Sequence, residues 1–155
     1  MTKQQKADRY KRMYVQIEKL VRPHDNPLST MATIAAVLHH KMKDFYWTGF
    51  YLIQEDGELL VGPYQGMLAC IKLKKNTGVC WAAINRRETV IVPDVHKFPG
   101  HIACDSASNS EIVVPVKDKS DNIIGVMDVD STGFDSFDKT DKEGLERIVR
   151  LVTFV

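Results

Sequence analysis

FYWTGFYLI, Phe45–Ile53, followed by the turn signature E-D-G-E (Glu55–Glu58) and by LLVGPYQG, Leu59–Gly66, decides how this chain folds. The first run is crowded with aromatic and β-branched residues, which suit a pleated strand. The apolar run that returns behind the turn predicts a β-hairpin. Upstream the texture differs. Tyr10, Met13, Tyr14, Ile17, Leu20 and Val21 recur at helical spacing until Pro23 stops the pattern. A second helix starts near Asn26-Pro27, with Leu28, Met31, Ile34, Ala35 and Leu38 on one face.

Downstream of the hairpin, ACIKLKK around Cys70 reads as strand, Val79–Arg86 as a short helix and Thr89–Val95 as a strand. A polar loop with Cys104 follows, then strands over Glu111–Val116 and Ile123–Ser131. Alternation in IIGVMDVDS puts Val126, Asp128 and Asp130 on one face and Met127 and Val129 on the other. The final stretch opens with capping signals and carries Leu145, Ile148, Val149, Leu151 and Val152 on a helical stripe. Helices first, a strand-rich middle with hairpins and a closing helix predict an α+β fold around an antiparallel sheet, one domain over residues 1–155.

Composition narrows the function classes. The chain has 155 residues, 44% hydrophobic and 26% charged, with a net charge of +1. Such a balance gives no electrostatic reason to expect a nucleic acid or an anionic membrane as partner. No apolar run reaches the length of about 18–20 residues that spans a bilayer. MTKQQKADRYKRMY carries charges with no apolar segment behind them, so no secretory signal is read, and a reducing cytoplasm is expected. Three cysteines make a poor disulfide framework there; catalysis, metal binding or core packing are the alternatives.

A lone cysteine is most simply a small buried hydrophobe. Cys70, between Ala69 and Ile71, and Cys80, beside Trp81, fit that description. Cys104 does not, because Ala103, Asp105 and SASNS surround it with no apolar stretch to bury it. An exposed thiol in a polar loop suits redox chemistry. His101, if protonated, would favour its thiolate, while Asp105 and Glu111 would oppose it, so these acids suit proton donation or a cationic substrate group. A zinc site from Cys70, Cys80, Cys104 and His101 is the second reading, and the spacing argues against it, since no tight pair of cysteines is present. A protease-like Cys-His nucleophile lacks its local signature. Trp47 and Tyr51 share a strand face across Gly49, either as core or as the aromatic wall of a pocket in which the glycine gives room.

Taken in order, W-x-G-F-Y at Trp47–Tyr51, G-x-x-x-C at Gly66–Cys70, G-V-C at Gly78–Cys80, V-x-D-V at Val92–Val95, PGHIACD with SEIVVPV between Pro99 and Val116, and G-V-x-D-V-D-S at Gly125–Ser131 form a specific set. The set closely resembles the free methionine-(R)-sulfoxide reductases, compact enzymes built on a GAF domain, over essentially the whole chain. The resemblance implies a GAF-like antiparallel sheet flanked by helices and no cofactor or metal. It implies that Cys104 attacks the sulfur of free L-methionine-(R)-sulfoxide and becomes a sulfenic acid. Cys70 or Cys80 would then close a disulfide, which thioredoxin reduces. Glu111, Asp128 and Asp130 would line the pocket, Trp47 and Tyr51 would surround the methyl group, and loop amides around Ala103 and Cys104 would hold the carboxylate. The resemblance also implies a homodimer. Acids sharing one pocket raise one another's pKa, which keeps a proton available for the sulfoxide oxygen. The competing class is a non-catalytic GAF module that senses a small ligand, in which three cysteines would be idle.

Overall fold

The computed structural model describes residues 1–101 and 106–154. Two helices open the chain, α1 (Lys3–Val21) and α2 (Pro27–Lys41). Thr2 and Gln5 form a reciprocal capping box at the start of α1. Asn26 accepts from the Ser29 N–H at the start of α2, with Pro27 at the first helical position, where it has no N–H to lose. The hairpin follows as β1 (Trp47–Ile53) and β2 (Leu59–Gln65), paired antiparallel. Next come a short β3 (Lys72–Leu73), α3 (Gly78–Arg86), β4 (Val90–Val92), β5 (Ser110–Lys117), β6 (Ile123–Ser131) and α4 (Lys139–Val149).

The expected strand around Cys70 is therefore only Lys72–Leu73, and Cys70 itself lies in the loop before it. The closing helix ends at Val149, so Leu151 and Val152 are buried beyond it.

All pairings are antiparallel, in a six-stranded sheet of order β3-β2-β1-β6-β5-β4. Strand alternation splits the sheet into two faces. Phe50, Ile112, Val114, Val116, Met127 and Val129 face the layer made by α1, α2 and α4. Trp47, Tyr51, Val113 and Val126 face the other way and meet residues of α3, Cys80 and Trp81 among them. The helical face holds an apolar core; the α3 face mixes apolar groups with the buried acids Glu111 and Asp128.

α1 and α4 are clamped by a buried polar contact. Asp141, 1% exposed, accepts from Tyr10 Oη at 2.7 Å and from Lys6 Nζ at 2.6 Å. Asp141 also accepts from the N–H of Asp138, so one carboxylate closes the capping box of α4 and fastens α1 to it.

Candidate active site

The acids expected to share a face do so. In the register of β5 and β6, Glu111 lies opposite Asp130 and Val113 opposite Asp128; across β1, Trp47 lies opposite Asp130 and Gly49 opposite Asp128. Central strands paired on both sides hold these side chains over α3. Trp47, Tyr51, Cys80, Glu111, Asp128 and Asp130 all line one cavity between the sheet and α3. Glu111 is 5% exposed and Asp128 6%, so both carboxyls are cut off from bulk water.

Burial sets their protonation. Desolvation penalises the ionised form of Glu111, the charges of Asp128 and Asp130 repel it, and a hydrogen bond with Asp128 adds to both, so its pKa stands well above the ordinary carboxyl value. Asp128 is pushed by burial from 3.8 up to about 6, against hydrogen bonds from Glu111 and Cys80 that favour its ionised form. The pair therefore places the proton on Glu111, which donates to Asp128. The Tyr51 hydroxyl is held neutral, first by burial and then by the charge of Asp128.

The three thiols have different fates. Cys80 is 4% exposed on α3, and its Sγ lies within 4.8 Å of carboxyl oxygens of Glu111 and Asp128. Burial and the neighbouring acids raise its pKa, so it is a thiol rather than a thiolate. Cys70 is half-buried, packed against the apolar cluster of the α3 face, and disulfide-bonded. Cys104 lies outside the described residues. His101 lines the cavity with its pKa lowered, first by burial and then by His96, so its imidazole is neutral at neutral pH and supplies no cation there.

The aromatic wall is a stack. The Trp47 ring lies 5.6 Å from Tyr51 at 26° and 5.2 Å from Tyr64 at 21°. Its Nε1–H donates to the carbonyl of Met67 at 3.1 Å and ties the loop after β2 to the wall. Gly49 gives room, as expected, but to the Trp47 ring itself: a Cβ there would come within 2.6 Å of Trp47 Cη2 and 2.3 Å of Tyr64 Cβ.

Three features of the wall escape a reading of the sequence. Ser108, 7% exposed, donates from its hydroxyl to Asp130 Oδ1 at 2.9 Å and fixes that carboxylate. Tyr64 extends the stack from β2. The start of α3, Thr77 and Gly78, lines the cavity, and Thr77 forms no side-chain cap, so the positive end of the helix faces the site. A loop serine gives no periodic signal. Gly78 entered the sequence reading through the G-V-C motif, with no sign that the head of α3 faces the site.

Cys80, Glu111 and Asp128 are also the described residues whose donor atoms gather closely enough for a metal. This set contains neither Cys70 nor His101 of the zinc reading, and a thiol and a protonated carboxyl already share hydrogen bonds within it. A proton fits the cluster as it stands.

Asp128 Oδ1 is buried and has no hydrogen-bond partner among the described residues. A buried acceptor without a partner costs about 1–3 kcal/mol, which points to a donor beyond the described residues.

Residues 28–155 match the model of the GAF domain. The chain is 44% identical over 152 residues to GAF domain-containing protein A of Dictyostelium discoideum, covering 98% of this chain and 95% of that one. It is 46% identical over 122 residues to the free methionine-R-sulfoxide reductase of Escherichia coli, covering 79% and 73%. The solved free methionine-R-sulfoxide reductase of Neisseria meningitidis in complex with its substrate superposes with a TM-score of 0.90 at 39% identity, over 95% of this chain and 87% of that one. With a six-stranded sheet of the same fold and identity at this level over most of its length, the chain belongs to the GAF-domain family of free methionine-R-sulfoxide reductases.

Proposed function

We propose that this protein reduces free L-methionine-(R)-sulfoxide to L-methionine. The observation that carries the reading is Glu111: a buried carboxyl whose pKa stands well above the ordinary value, beside Asp128 in a cavity walled by stacked aromatics. A sulfoxide oxygen leaves only when protonated, and Glu111 supplies that proton.

In the proposed reaction the Cys104 thiolate forms a bond to the sulfoxide sulfur as Glu111 protonates the oxygen. The substrate's sulfur–oxygen bond breaks, and the freed hydroxide bonds to the Cys104 sulfur. The sulfur–sulfur bond then breaks with its electron pair on methionine, which departs and leaves Cys104 as a sulfenic acid. A second thiol attacks Cys104, water leaves with the oxygen, and a disulfide remains. The sum is one sulfoxide and two thiols converted to one sulfide, one disulfide and one water. A dithiol reductant of the thioredoxin class returns both electrons.

Cys70 is the better resolving thiol. Its sulfur is in a disulfide, whereas Cys80 is free, fully buried and held as a neutral thiol by its surroundings. The substrate ammonium takes Asp128 Oδ1, which has no partner among the described residues, with Asp130 beside it. The carboxylate is left to backbone N–H groups around Ala103 and Cys104, with the positive end of α3 on the same wall. Following the family resemblance, the protein is read as a cytoplasmic homodimer; no described helix is long and apolar enough to cross a membrane.

The test is turnover of free R and S sulfoxides and a peptide-bound control with a thioredoxin system. Reduction of the free R epimer is expected, with loss of turnover in Cys104→Ser. Binding of the sulfoxide without turnover in the wild type favours the sensor reading, and undiminished turnover in Cys104→Ser refutes the assignment of the nucleophile.

A further inference from the structure

Cys80 is a buried thiol that the proposed reaction leaves unused. It sits on α3 among apolar neighbours, 4% exposed, and its sulfur lies within 4.8 Å of carboxyl oxygens of both Glu111 and Asp128. It shares a side-chain hydrogen bond with Asp128, whose Oδ1 has no hydrogen-bond partner among the described residues. Asp128 lines the cavity, and its carboxylate is shared between this cluster and the cavity wall. The terminal torsion of an aspartate is soft and two-fold, so a donor on one oxygen decides where the other points.

We propose that Cys80 is a positioning residue: its S–H donates to one oxygen of Asp128 and so holds Oδ1 toward the ammonium group of an amino-acid substrate. The inference rests on the function proposed above and gives that site its means of recognising an α-amino acid. The adjacent aspartate on the same face of β6 carries the same device with a different donor, since the Ser108 hydroxyl donates to Asp130 Oδ1 at 2.9 Å. A hydroxyl serves there as the thiol serves at Asp128. A positioning thiol and a resolving thiol make opposite demands: the first acts as a neutral donor, the second as a thiolate that must reach another sulfur.

The experiment compares wild type, Cys80→Ser and Cys80→Ala by calorimetric titration with L-methionine and with 4-(methylthio)butanoate, which has the same chain without the ammonium. The wild type is expected to favour methionine. Cys80→Ala should lose about tenfold in methionine affinity, as expected for a lost hydrogen bond to a charged group, with its affinity for the amine-free analogue unchanged. Cys80→Ser should keep the wild-type preference. In turnover, Cys80→Ala should raise KM and leave kcat in place, with a pair of thiols still consumed per sulfoxide. The inference is overturned if both variants keep the full preference, if both ligands weaken together, or if kcat collapses with the thiol pair no longer consumed. A wild type that binds methionine no better than the analogue, or reduces no sulfoxide, refutes the functional reading instead.

Discussion

Asp128→Asn should make the protein more stable above neutral pH while weakening its hold on an amino acid. The wild-type carboxyl is pushed by burial from 3.8 to about 6 in the fold. A folded-state pKa above the unfolded one means that the folded chain binds the proton more tightly. The stabilisation is therefore complete below the unfolded value, and it is lost as pH rises through the folded one. At about 1.4 kcal/mol per pKa unit, the ionised fold is about 3 kcal/mol worse off than the protonated one. Asparagine never ionises, so it escapes that loss. Its NH₂ needs a partner on the cavity wall, which sets back the gain by about 1 kcal/mol. Urea unfolding of both proteins between about pH 4 and pH 8 should show a difference that shifts toward the variant by about 3 kcal/mol across the window. That corresponds to a relative change of about 6–12 °C in Tm for a domain of this size. Glu111 holds its proton across the lower part of the range, so the difference reports on Asp128. Parallel stability curves would refute the buried-acid argument, as would a variant that loses ground with rising pH.

Two glycines give further predictions. Gly144→Ala should lower stability by about 1–3 kcal/mol, because its Cβ would lie 2.4 Å from Tyr10 Cγ, and Tyr10 is pinned by its 2.7 Å hydrogen bond to Asp141; thermal melting checks it, and an unchanged Tm counts against the clamp between α1 and α4. Gly49→Ala should expel the Trp47 ring from its stack, since the 2.3 Å approach to Tyr64 Cβ cannot be relieved by a flexible chain end. Methionine binding by titration should then be lost, and a variant that binds like wild type removes Trp47 from the wall.

The alternation in IIGVMDVDS was enough to place Asp128 and Asp130 on one face, because a strand has a fixed period of two. The helices were legible for the same kind of reason: Tyr10, Met13, Ile17 and Val21 are all buried as spaced. Coverage is another matter. Leu20 and Leu28 were counted on those stripes yet are 52% and 62% exposed, since spacing tells which residues share a face and not how far a neighbour extends over it. Sheet order was also hidden, because no local pattern states that β6 inserts between β1 and β5. That insertion brings Glu111, Asp130 and Trp47 side by side. Cys80 was legible as buried but not as a neighbour of acids, for its hydrophobic context in VCWAA is all the sequence displays.

The division of the sheet into two faces explains how such a site is tolerated. Burying Glu111 and Asp128 together opposes folding, and an Asp128 oxygen without a partner among the described residues opposes it further. These costs fall on the α3 face. The opposite face offsets them with fully buried Phe50, Ile112, Met127 and Val129 packed under three helices, with no carboxyl among the strand residues that point there. Because successive residues of β5 and β6 point to opposite faces, each strand serves both purposes at once. Ile112 holds the fold and Glu111 burdens it; Met127 and Val129 do the same for Asp128. Any change that shifted the β5–β6 register by one residue would exchange the two sets, driving carboxyls into the helical core and apolar groups into the cavity. The register that stabilises the domain is therefore also the one that assembles the acids, and the fold cannot keep one without the other.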